Sequence, residues 1–166
     1  MTSALLPDDV VALARRVVEQ NMAIGRKVVV AESCTGGLVA AALTEIPGSS
    51  GVLDRGFVTY SNESKQQSLG VPGDIIDAFG AVSIACVYAM ARGALERSEA
   101  DVAVAISGVA GPDGGSENKP VGTVVFARAI RGDEDNPEAE SKLFEERDRA
   151  GVRRQATLVA LELLLP

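Results

Sequence analysis

The chain has 166 residues, a formal net charge of −7, 46% apolar residues, 4% aromatic residues and no histidine. A length of this order favours one domain, residues 1–166, with an aliphatic core, and an acidic surface repels phosphate backbones, which argues against nucleic acid as a partner. Two cysteines without a CxxC pair, in a chain without histidine, exclude the ordinary zinc sites, so no metal and no cofactor are expected.

No apolar run approaches the ~20 residues of a membrane span. The opening residues, MTSALLPDDVVALARR, lack a basic segment ahead of an apolar core. The expectation is a cytoplasmic protein with reduced thiols and no membrane partner.

Pro7, Asp8 and Asp9 open a predicted helix over 8–24, with Val10, Leu13, Ala14, Val17 and Val18 at helical spacing. KVVVA (27–31) reads as a buried strand, TGGLVAAALTEI (35–46) as a helix and PGSSG (47–51) as a turn. GFVTYS (56–61) reads as a strand, and Asn62 is placed to cap the short helix that follows. Pro72 to Phe79 gives another short helix. Ser83 caps a longer one, with Ile84, Val87, Met90, Ala91 and Leu95 on one face.

DVAVAIS (101–107) is a second buried strand, followed by a glycine-rich loop over 108–120. Strands at 121–130 and 141–147, joined by an acidic turn, and a helix over 148–165 close the chain. Helices interleaved with apolar strands make an α/β fold, a three-layer α/β/α sandwich. The closeness of the last two strands suggests a hairpin, so a mixed, mainly parallel sheet is expected.

AESCTGG (31–37) places Ser33, Cys34 and Thr35 between a strand end and a helix start. Ligands of open α/β sheets bind beyond the carboxyl ends of strands, and helix N-termini favour negative charge. Gly36 and Gly37 allow close approach of a substrate to the backbone. The stretch fits a nucleophile beside an oxyanion hole; it equally fits a hydroxyl that only caps the helix. Cys34 competes with Ser33 as a nucleophile, although a small thiol packed behind the loop is the plainer reading. Cys86 falls on an apolar helix face and reads as core.

Without histidine, a serine needs a lysine of lowered pKa or a carboxylate as its base. Of the four lysines, Lys65 in TYSNESK lies just past a strand end, as Ser33 does, with Tyr60 and Asn62 nearby as relay partners. The alternative is a solvated lysine on a helix face. SGVAGPDGGS (107–116) is a second glycine-rich loop after a strand. It is neither a P-loop nor a dinucleotide fingerprint. Arg147, Arg149, Arg153 and Arg154 cluster at the start of the last helix, either to hold a phosphate or to balance Glu145, Glu146 and Asp148.

AESCTGG, GFVTYSNESK, GAVS (80–83), ISGVAGPDGGSENKPVGTV and VRRQA (152–156), taken together, resemble the CinA C-terminal family, the nicotinamide-nucleotide amidases. The resemblance runs from about Lys27 to Ala160. It implies hydrolysis of the carboxamide of nicotinamide mononucleotide to nicotinate mononucleotide and ammonia, in pyridine-nucleotide recycling.

By motif, Ser33 is the nucleophile, Lys65 the base and Tyr60 its helper. Thr35, Gly36, Gly37, Ser50, Asn62, Ser107, Gly108 and Gly111 would contact the substrate, and Arg149 and Arg153 its phosphate. Many members of the family that the chain resembles carry threonine where Ser107 stands. The resemblance also implies a metal-free reaction and a stand-alone amidase without the N-terminal domain that many relatives carry. The partner would be a small nucleotide substrate, and alanine-rich helix faces suggest a homo-oligomer.

Overall fold

The computed structural model describes residues 3–146 and 148–166. Helices α1 (Asp8–Ala23), α2 (Leu38–Thr44), α3 (Asn62–Leu69), α4 (Gly73–Phe79), α5 (Ile84–Glu96) and α6 (Arg149–Leu163) alternate with strands β1 (Val28–Glu32), β2 (Leu53–Val58), β3 (Val102–Gly108), β4 (Thr123–Ile130) and β5 (Glu138–Leu143) in the order expected. The sheet order is β2-β1-β3-β4-β5. β1 pairs parallel with β2 and β3, while β4 is antiparallel to both β3 and β5. All the strands except β4 therefore point one way, which makes the sheet mixed and mainly parallel.

Strand alternation divides the interior into two cores. Val28 and Val30 of β1 pack with Val102, Val104 and Ile106 against the face covered by α1, α2 and α6. Val29 and Ala31 pack with Ala103, Ala105, Ala127 and Ala129 against α5 and its neighbours. The alanines let α5 lie close to the sheet. At Gly93 of α5 a Cβ would run into the carbonyl oxygen of Leu69, so α3 and α5 touch backbone to backbone.

The boundaries of α2, β2, β5 and α3 differ most instructively from expectation. α2 begins at Leu38, because Gly36 and Gly37 adopt φ of 58° and 102° and hold residues 33–37 in a turn. β2 spans Leu53–Val58 instead of 56–61: the ladder with β1 sets its start, and the chain leaves the sheet after Val58. β5 spans Glu138–Leu143 instead of 141–147. Its charged alternation suits an edge strand with one neighbour, a setting that needs no apolar run. The α3 cap is Ser61, whose Oγ accepts from the Ser64 N–H at 3.0 Å, and Asn62 is the first helical residue. Ser83 caps α5 as expected, its Oγ accepting from the Cys86 N–H at 3.2 Å. Arg147, part of the arginine cluster, lies outside the described residues.

Candidate active site

The carboxyl ends of β1, β2 and β3 meet at one edge of the sheet. Alternation along β1 continues Val29, Ala31, Ser33, so Ser33 follows the phase that faces α5. Its N–H donates to the Ile106 carbonyl at 3.0 Å, which fixes it beside the end of β3. On β3 the same phase gives Ala103, Ala105, Ser107. Both serines are buried at the floor of a cavity of about 280 Å³, near the small end of ligand sites. Tyr60, Asn62, Lys65, Ala81, Val82, Gly108, Gly111, Asp113 and Arg149 also line it.

Lys65 is 1% exposed, an unusual place for a lysine. Its Nζ lies 2.9 Å from Ser33 Oγ and donates to the carbonyls of Thr59 at 2.7 Å and Tyr60 at 3.3 Å. Among the described residues no carboxylate forms an ion pair with it. Burial holds its pKa below the usual lysine value, against a smaller upward pull from the thiols of Cys86 and Cys34.

The two carbonyls can only accept. The third partner, the Ser33 hydroxyl, can accept from an ammonium or donate to the lone pair of a neutral amine. The same geometry therefore serves both ends of a proton transfer.

Cys34 lines the cavity but is 4% exposed, and burial, with smaller effects around it, pushes its thiol up to about 11. A protonated thiol is a weak nucleophile, whereas Ser33 Oγ has Lys65 Nζ at 2.9 Å to take its proton, so Ser33 is the better placed of the two. Cys86 is fully buried in the core, as its helical position suggested.

Glu32 has a role that sequence reading missed. Its fully buried carboxylate accepts from Thr35 Oγ1 at 2.6 Å and from the N–H groups of Val39 at 3.0 Å and Ala40 at 3.1 Å. The N-terminus of α2 thus already holds an anion from within the chain. Glu32 is occupied as a cap and is not free to act as a base. The signal available was a carboxylate at a strand end, a few residues ahead of a helix start.

The expected binding residues separate into two groups. Tyr60, Asn62, Ser107, Gly108, Gly111 and Arg149 join Ser33 and Lys65 around the cavity. Arg149 donates to the Gly111 carbonyl at 2.7 Å and to Tyr60 Oη at 3.0 Å, so it ties the glycine loop to the strand β2 side. The Tyr60 phenol meets Arg149 rather than Lys65, and the serine–lysine contact needs no relay.

Thr35, Gly36, Gly37, Ser50 and Arg153 do not line the cavity. Thr35 turns its hydroxyl onto Glu32, and the Gly36 N–H donates to the Ser33 carbonyl at 3.0 Å. Ser50 is exposed in a 3-10 turn, Ser49–Gly51, that leads into Val52 beside Val28, at the opposite end of β1 from Ser33. Arg153 packs behind the turn.

Asp113, Ala81 and Val82 line the cavity without having been singled out by position. Lys119 donates to the Phe79 carbonyl at 2.7 Å and ties the glycine loop to the end of α4. Among the described residues no cluster of three or more Cys, Asp or Glu could hold a metal ion, and no helix is long and apolar enough to cross a membrane.

These features define a class: an α/β protein with a buried serine–lysine pair at the carboxyl edge of its sheet. The family model for the CinA C-terminal domain matches residues 10–166, and the chain belongs to that family. The nicotinamide-nucleotide amidohydrolase PncC of Escherichia coli K12 is 51% identical over 156 residues, covering 94% of this chain and 93% of that protein.

A CinA-like protein of Akkermansia muciniphila is 52% identical over 139 residues, covering 84% of this chain and 33% of that protein. The chain thus spans only about a third of such longer relatives. The crystal structure of competence/damage inducible protein CihA from Agrobacterium tumefaciens superposes with a TM-score of 0.93 at 47% identity, covering 98% of this chain and 97% of that one.

Proposed function

We propose that this chain hydrolyses the carboxamide of nicotinamide mononucleotide to nicotinate mononucleotide and ammonia, a step of pyridine-nucleotide recycling. The observation that carries the reading is the 2.9 Å contact between Lys65 Nζ and Ser33 Oγ at the floor of the cavity. The 51% identity to PncC over nearly the whole of both chains supports the substrate.

In its neutral form Lys65 takes the proton of Ser33 as the oxygen attacks the carboxamide carbon. Backbone N–H groups of the 107–111 loop, which lines the cavity, hold the oxyanion, and one such donor is worth ~3–4 kcal/mol of barrier. Lys65 returns the proton to the departing ammonia. It then deprotonates the water that cleaves the acyl-enzyme and passes that proton to the departing Ser33 oxygen, which restores the hydroxyl and the neutral amine. Arg149 faces the cavity with N–H groups left over for the phosphate.

The test is ammonia release from nicotinamide mononucleotide, with and without chelator, for the native chain and Ser33→Ala. Turnover is expected to be indifferent to chelator and to fall by ~10⁴-fold or more in the variant. Ligand bound without ammonia release would make the chain a binding module. Phosphate release without ammonia, abolished by chelator, would point instead to a metal-dependent phosphohydrolase.

A further inference from the structure

Arg149 and Arg153 stand one turn apart on α6, and the sequence treats them alike. Their surroundings differ. Arg153 Nε donates to the Cys34 carbonyl at 3.1 Å and Nη2 to the Thr35 carbonyl at 3.5 Å. Its guanidinium lies over Gly36, where a Cβ would sit 3.4 Å from Nη2. Its stem lines a groove with Leu6, Pro7, Val10 and Leu38, outside the Ser33 cavity. Among the described residues no ion pair includes it, so its charge is directed at the two carbonyls.

We propose that Arg153 is a positioning residue that sets the nucleophile turn from behind and does not meet the substrate. A trans peptide points its C=O and N–H in opposite directions. Drawing the Cys34 carbonyl toward the guanidinium aims the Thr35 N–H the other way, and that N–H has no partner among the described residues. The Gly36 N–H, by contrast, is engaged with the Ser33 carbonyl. Glu32 holds the far end of the same turn through Thr35 Oγ1, Val39 and Ala40. Between these anchors the peptide planes next to Ser33 are fixed before a substrate arrives, and Ser33 Oγ is held against Lys65 Nζ at 2.9 Å. As a statement about amide hydrolysis this rests on the proposed function; as a statement about Ser33 reactivity it does not.

The test compares native protein, Arg153→Met and Arg153→Lys in two assays. The first is the rate of Ser33 labelling by an alkyl fluorophosphonate, a probe with no nucleotide for an arginine to bind. Labelling is expected to slow about 10–100-fold in Arg153→Met and less in Arg153→Lys. Millimolar methylguanidinium, entering the groove, should restore part of the loss in Arg153→Met.

The second assay is ammonia release from nicotinamide mononucleotide and from its riboside. A fall in kcat on both substrates with KM nearly unchanged supports the proposal. A rise in KM confined to the phosphorylated substrate, with labelling intact, overturns it. If the native protein labels at Ser33 but releases no ammonia, the amidase reading fails while labelling still decides the role of Arg153. A native protein that does not label at Ser33 lacks the activated serine that the proposal requires. If Arg153→Met does not fold, Arg153→Lys carries the comparison: native labelling and kcat in it, with KM raised, overturn the proposal.

Discussion

At Lys65 the surroundings of the side chain govern its protonation. Two carbonyls fix Nζ, no carboxylate among the described residues pairs with it, and burial disfavours its charge. A base of this kind works only once deprotonated. We therefore expect kcat/KM to rise with pH along one limb, governed by an apparent pKa below that of an ordinary lysine. Lys65→Met should lose about 10²–10⁴-fold. A pH–rate profile with its limb in the carboxylate range would assign the base elsewhere.

Cys34 gives the complementary prediction. Its thiol, pushed up to about 11, stays protonated at neutral pH. Cys34→Ala should then keep activity within a few-fold and lose only ~1 kcal/mol of stability from the small cavity. Loss of activity equal to that of Ser33→Ala, in a folded variant, would return the thiol to the mechanism.

Among the elements, α3 matters most for the site because it carries Lys65, and its position depends on its contact with α5. Gly93→Ala would drive a methyl group into the Leu69 carbonyl and push the two helices apart. Overpacking of this kind costs roughly 1–3 kcal/mol or more, about 3–10 °C in Tm for a chain of this size. Because Leu69 lies one turn from Lys65, turnover should fall along with Tm. Thermal unfolding and kcat measured on the same preparation check this, and a variant with lowered Tm but native kcat would show that α3 tolerates the shift.

The kind and order of these elements were legible in the sequence, because apolar strand cores such as VVVA and VAVAIS and the capping Ser83 carry their own signals. Their ends were not. Gly36 and Gly37 delay α2 by holding a turn, and β5 keeps its place by ladder pairing despite its charged composition.

The site followed the same division. Ser33 and Lys65 were legible because each follows a strand that ends at one edge. The capping by Glu32 and the different surroundings of Arg149 and Arg153 were not, because each depends on which face of a neighbouring element the side chain meets.

Across the whole molecule, placing an amine in the interior ties the stability of the fold to the protonation of its site. Lys65 has a lower pKa folded than unfolded. Between those two values the unfolded chain binds more protons, so stability rises with pH through that interval; below it the full cost of the buried ammonium is present. The buried thiols act oppositely and later. The folded pKa of Cys34, about 11, lies above the ordinary thiol value of 9.0, and that of Cys86 is also raised. Their contribution is complete below the unfolded thiol pKa and is lost as pH climbs beyond it.

The amine is therefore best read between about pH 6 and 8.5, before thiols titrate in the unfolded chain. Urea unfolding of the native chain and Lys65→Met across that range isolates the term, because every other titrating group is common to both. The variant also leaves the Thr59 and Tyr60 carbonyls without their donor, an offset that does not change with pH. The stability of the native chain relative to Lys65→Met should thus increase as pH rises. A difference that stays flat from pH 6 to the onset of thiol ionisation would mean that the amine titrates above this window. Lys65 would then be charged at neutral pH and unable to take the proton from Ser33.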